Sequence, residues 1–230
     1  MDIWFQIVIM FFSVMIGGVL VQLMFKKNSL KLFLSFSGGF LLTIIFTHIL
    51  PETYSVNFEK SGYFILIGFL IQLCLEYFSG GAEHGHMHSK NSTGFPIAIF
   101  ISLMVHSFLE AIPLVHDGHT HIEDLYWGVI VHKLPIAVVL MSIFRSSNLP
   151  TVTSWIFLTV FALSGPIGMF MGGLIGEAQE AYLSYLLLIA VGMFLHISTT
   201  IIFESSEGHK LNLYKFLAIL GGFGIGMLLN

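Results

Sequence analysis

The stretch GFPIAIFISLMVHSFLEAIPLV, residues 94–115, carries a single formal charge, that of Glu110. As a helix rising about 1.5 Å per residue it is long enough to cross the roughly 30 Å apolar core of a bilayer. Seven more runs share this character: 3–25, 30–50, 61–79, 125–144, 151–174, 183–204 and 212–229. The connections between them are short, so the reading is an all-α membrane protein of eight transmembrane helices. Residues 1–230 then form one transmembrane domain with a His-containing loop at 80–93. Composition agrees, because 10% charged residues is far below the roughly 25% of a soluble domain.

Met1 to Phe25 reads as the first span of the mature protein, since Lys26, Lys27 and Lys31 follow the apolar stretch where a secretory signal has its positive charge first. The lone cysteine, Cys74, cannot form an intrachain disulfide and is expected to pack inside the third run.

Threading the runs alternately sorts the basic residues. Lys26, Lys27, Lys31, Lys90, Arg145, Lys210 and Lys215 fall on one side and Lys60 alone on the other. By the positive-inside rule the first side is cytoplasmic. Both termini then lie outside, with Asp2, Glu59, Asp117, Glu123, Asp124, Glu177 and Glu180 making an acidic outer face suited to attracting cations. A cell (inner) membrane is the expected location.

The costly residues lie within the spans. His106 and Glu110 stand four apart on one helical face of the fourth run, and the fifth holds His132 followed by Lys133. Counted inward from Val115 and Leu125, His106 is about 13 Å deep, His132 about 10 Å and Glu110 about 7 Å, so the three share a layer. Ionisable groups at such depth cost about 2.5–3.5 kcal/mol each on insertion scales and mark pathways. Imidazole with carboxylate suits zinc, iron, manganese, nickel or cobalt, whereas magnesium and calcium prefer oxygen alone. An interhelical hydrogen bond, or an ion pair between Glu110 and Lys133, without metal is the structural alternative. Pro113 and Pro135 are expected to interrupt the helices beside this layer, as in transporter binding sites.

Two loop tracts are candidate exchangeable metal binders: residues 83–88 on the inner side, with His84, His86 and His88, and residues 116–124 on the outer, with His116, Asp117, His119, His121 and, at its end, Asp124. His48 and Glu52, flanking Pro51, either line an entrance or cap a helix. Gln72 and Glu76 share a face and read as interfacial. His196 is a candidate pathway residue, with Glu204 near the membrane edge. Glycines at 17–18, 38–39, 165, 168, 172–173, 176 and 221–222 read as close helix contacts.

Taken together, His48-Ile49-Leu50-Pro51-Glu52, His106-Ser107-Phe108-Leu109-Glu110-Ala111, His132-Lys133, Gly165-Pro166-Ile167-Gly168 and, more weakly, Gly192-Met193-Phe194-Leu195 resemble the ZIP (Zrt/Irt-like) metal transporters. The resemblance implies eight helices with both termini outside and import of a divalent metal, zinc first, with iron or manganese behind it. It implies a transport site on the fourth and fifth helices, with His106, Glu110 and His132 as ligands. Family members of this branch also carry His-Lys, with a hydroxyl at the position of Ser107, so Ser107 and Lys133 are expected to modulate that site. Many members have an acid where this chain has Ile136, and Ile201 falls near the acid expected in the seventh helix. A single ion is therefore expected, with the Lys133 ammonium in place of a second.

No resident cofactor beyond the transported ion is expected, nor any nucleic-acid partner. The bilayer and the metal ion are the expected partners, with a homodimer as the assembly considered. Two rivals belong to other classes. A b-type haem protein would use paired membrane histidines. An intramembrane zinc hydrolase would need activated water, but no His-Glu-x-x-His occurs, so an enzyme is not expected.

Overall fold

The computed structural model describes residues 2–22, 27–56, 58–84, 96–115, 121–204, 206–207 and 210–229. Its α-helices are α1 (Ile3–Gln22), α2 (Lys27–Ile44), α3 (Leu50–Val56), α4 (Phe58–Ser79), α5 (Ile97–Ala111), α6 (Ile122–Ser146), α7 (Thr151–Ala178), α8 (Glu180–Glu204) and α9 (Leu213–Met227). A π-helix, Ile45–Ile49, joins α2 to α3. Short 3-10 turns follow α4 at Ala82–His84 and α5 at Ile112–Val115. A two-residue ladder, β1 (Ser206–Glu207) with β2 (Lys210–Leu211), is the one β pairing among the described residues.

Among the described residues, seven helices are long and apolar enough to cross a membrane. The eighth run forms α9, a shorter apolar helix. The second span continues to Thr53, beyond the expected end at residue 50. Pro51 does not stop it. A proline cannot donate to the carbonyl four residues back, and the backbone changes pitch just before it, with the Leu50 N–H bonded to the Ile45 carbonyl five residues away. Pro113 sits within the 3-10 turn that extends α5, while Pro135 and Pro166 lie inside α6 and α7.

Glycine contacts give the helix directions. A Cβ on Gly17 of α1 would meet Ala137 of α6, and the Tyr126 hydroxyl donates to the Gln6 carbonyl, so α1 and α6 run parallel. Gly168 and Gly172 of α7 face Phe108 and Ile112 of α5 in the same sense. Gly39 and Gly222 bring together α2 and α9, and Gly68 and Gly192 bring together α4 and α8. The absence of side chains lets the backbones approach closely. At the end of α4, Gly80 and Gly81 take φ of 63° and 76°, conformations that only glycine adopts cheaply.

Two apolar cores result. One contains Met10, Leu41, Ile45, Ala111, Leu125, Val129, Met169, Leu187 and Phe194. The other contains Val14, Leu34, Leu103, Ile136, Leu140, Phe161 and Ile197. On α5 the switch between cores falls at residues 104–110, on α6 at 131–135 and on α7 at 163–168. A buried polar layer of His106, Ser107, Glu110, His132, Lys133 and Ser164 occupies these gaps.

Large apolar side chains such as Phe5, Tyr63, Leu70, Phe170 and Leu217 cover the exterior, the inverse of a soluble surface. The chain is a multi-pass integral membrane protein. Cys74 is on that exterior and does not pack inside α4 as expected. Lys215, counted with the loop cations, is buried in the first turn of α9.

Candidate metal centre

His106 and Glu110 are on one face of α5, with His106 Nε2 3.2 Å from Glu110 Oε2. The α6 residue His132 presents its ring to that of His106 edge-on, at a centroid separation of 6.2 Å. His106 is 1% exposed and Glu110 and His132 are 0%. The packing thus brings together the three side chains that counting residues inward places in one layer.

Donor atoms in this layer lack partners. His106 Nε2, Glu110 Oε2 and both ring nitrogens of His132 have no hydrogen bond among the described residues. Buried polar atoms are ordinarily paired, and each orphan costs about 1–3 kcal/mol. Gln72 of α4, expected at the interface, is fully buried, and its Oε1 lies 2.9 Å from His106 Nδ1. With the amide oriented in this way its oxygen accepts from Nδ1, which in the neutral ring leaves the Nε2 lone pair toward the Glu110 carboxylate. Nε2 and Oε2, 3.2 Å apart in the buried layer, are a donor pair that a cation would satisfy.

The other Glu110 oxygen is occupied. The Lys133 ammonium donates to Glu110 Oε1 at 2.5 Å and to Ser107 Oγ at 2.6 Å. Ser107 in turn accepts from Ser164 Oγ at 2.7 Å. A Cβ at Gly165 would stand 3.3 Å from Lys133 Nζ and 2.5 Å from Met10 Sδ, so the glycine makes room for this ammonium. Ile136 and Ile201 both belong to the apolar core that contains Val139 and Leu140.

Three-donor groups with all atoms within 4.8 Å of one another occur elsewhere among the described residues. At the end where α1 begins, His48, His121 and Asp124 converge. At the opposite end Glu76, His84 and His196 do so, and Glu76 bonds to His196. His84 Nε2 is 3.4 Å from the same Glu76 oxygen. The sequence singled out His48, His84, His121 and His196 separately and placed Asp124 with His121 in the outer tract, but it gave no sign that Glu76 joins His84 and His196 or that His48 joins the outer tract. Glu52 is on α3, one turn beyond His48, and joins neither group. His86, His88, His116, Asp117 and His119 lie outside the described residues, as does the side chain of Glu204.

Comparison with known proteins is consistent with these features. The family model described as ZIP Zinc transporter matches residues 79–230. The chain is similar to zinc transporter ZIP1 of Takifugu rubripes, 27% identical over 150 residues that cover 62% of this chain and 50% of that protein. It is equally similar to zinc transporter ZIP1 of Danio rerio, 27% identical over 157 residues that cover 64% and 51%. The chain spans about half the length of these curated relatives. With the family match extending over well more than half of its residues, the chain belongs to the ZIP zinc transporter family.

Proposed function

We propose that the chain carries a divalent transition metal, zinc first with iron or manganese behind it, across a membrane through one intramembrane site. His106, Glu110 and His132 are its ligands. The observation that carries this reading is the set of unpartnered donors, buried in a polar layer between two apolar cores. An imidazole lone pair, a carboxylate and a second imidazole suit a borderline ion such as Zn²⁺.

Lys133 acts as the resident cation. It neutralises Glu110 while the site is empty, since a lone buried carboxylate is strongly disfavoured. When the metal arrives, the ammonium retains Ser107, and through it Ser164. The apolar surroundings of Ile136 and Ile201 support one ion at a time, because neither residue offers a donor for a second.

The basic asymmetry supports a cytoplasmic side at the Arg145 end and both termini outside, in the inner membrane of a cell. The ion then leaves past Glu76, His84 and His196. Helix pairs drawn from distant parts of the chain support a single transmembrane domain.

The test is uptake of radiolabelled zinc by proteoliposomes. His106→Ala and Glu110→Ala are expected to abolish it, and unchanged uptake in both would overturn the site.

A further inference from the structure

Beyond the central layer, we propose a second metal site at the end where α1 begins, made by His48, His121 and Asp124 and selective for a zinc-like divalent ion. It would hold an arriving ion before the ion crosses the apolar core.

His48 is carried on the π-helix, a local widening that recurs at functional positions because it re-aims a side chain. His121 is the N-cap residue of α6 and Asp124 lies in its first turn. The Asp124 Oδ2 atom is 2.9 Å from His121 Nδ1 and 3.0 Å from His48 Nδ1, and the two rings stack with centroids 4.7 Å apart. Tetrahedral zinc with bonds of about 2.0 Å holds its donors about 3.3 Å apart, so the two contacts to Asp124 need to open by only a few tenths of an ångström, and all three donor atoms already lie within 4.8 Å of one another.

His48 is the second, independent sign. It is 2% exposed, yet neither ring nitrogen makes a hydrogen bond of acceptable geometry among the described residues. A metal between the three would take one ring nitrogen from each of His48 and His121 together with the Asp124 oxygen they both approach. Two nitrogens and one oxygen exclude a preference for magnesium or calcium. Three protein donors leave a fourth position open, as in exchangeable zinc sites. Asp124 is eight residues before His132 on α6, a step of about 12 Å. Leu125 and Val129 of the apolar core lie along that step.

The site stands or falls independently of the central one. The full chain in detergent, with His106→Ala and Glu110→Ala removing the central ligands, is titrated with Co²⁺ and read by its ligand-field absorption. The band expected is that of a low-symmetry site with mixed nitrogen and oxygen donors. Adding His48→Ala is expected to weaken this binding at least about tenfold, since even outer-shell losses around a metal cost 10–100-fold. Asp124→Asn, which keeps shape and fold, is expected to do the same. Binding that neither substitution alters would overturn the proposal and leave only a hydrogen-bonded His–Asp cluster.

Discussion

The Lys133 ammonium stands 2.5 Å from the Glu110 carboxylate with both side chains only 1% exposed, so a buried carboxylate of the candidate metal centre is already paired with a protein cation. Removing one partner of a buried pair strands the other, at a cost of about 3–5 kcal/mol. Lys133→Ala is therefore expected to lower thermal stability in metal-free detergent. Zn²⁺ should restore it more fully than it stabilises the parent chain, because the ion replaces the missing charge. An equal response to Zn²⁺ in both proteins would show that the ammonium does not stand in for a cation. The central site should still take one ion, since Ile136 and Ile201 offer no further donor.

Glu110→Gln separates charge from shape. The amide fills the same volume but is neutral, and it supplies a far weaker donor to a divalent ion. Zinc affinity, measured by competition with a chromophoric chelator, is expected to fall by about 10–100-fold or more, the range that even outer-shell changes produce. Retained affinity would move the ligand role elsewhere.

Much of this arrangement is legible in the sequence because it follows from local periodicity. His106 and Glu110 share a face at i and i+4, and counting inward from the helix ends puts His132 beside them. Gln72 and Ser164 could not be found in this way. Each lies on a helix whose neighbour is set by long-range packing, Gln72 on α4 and Ser164 on α7. The same holds for Glu76, brought to His196 by the glycine contacts of α4 with α8, and for Asp124, brought to His48 by the packing of α6 on α2. The exposed Cys74 shows the related difficulty on an outer helix. There the polar face that bears Gln72, read as interfacial, is the buried one, and Cys74 two residues on points away from it.

Gly165 makes a packing prediction. Its missing side chain leaves room for Met10 Sδ and Lys133 Nζ, so Gly165→Ala overpacks the layer at about 1–3 kcal/mol. Zinc uptake should fall as the ammonium is displaced from Glu110. Met10→Ala empties the nearer contact, so the double variant is expected to recover stability relative to Gly165→Ala alone. A double-mutant cycle on thermal stability reads this coupling, and strict additivity would mean that the two residues do not compete for the same space.

Gln72 is placed to set the state of the proposed His106 ligand. With its Oε1 2.9 Å from His106 Nδ1, it would accept the Nδ1 proton and leave Nε2 free to bind the ion beside Glu110. Outer partners of this kind hold the ring orientation and raise ligand basicity. Gln72→Leu keeps bulk but removes the acceptor, so Nδ1–H loses its partner and the tautomer with the proton on Nε2, pointing at Glu110, becomes favoured. Zinc must then displace that proton, and affinity is expected to drop by about 10–100-fold. Gln72→Glu retains an acceptor and should preserve binding. If Leu and Glu at this position gave the same affinity, the hydrogen bond would have no part in ligand control, and Gln72 would serve packing alone.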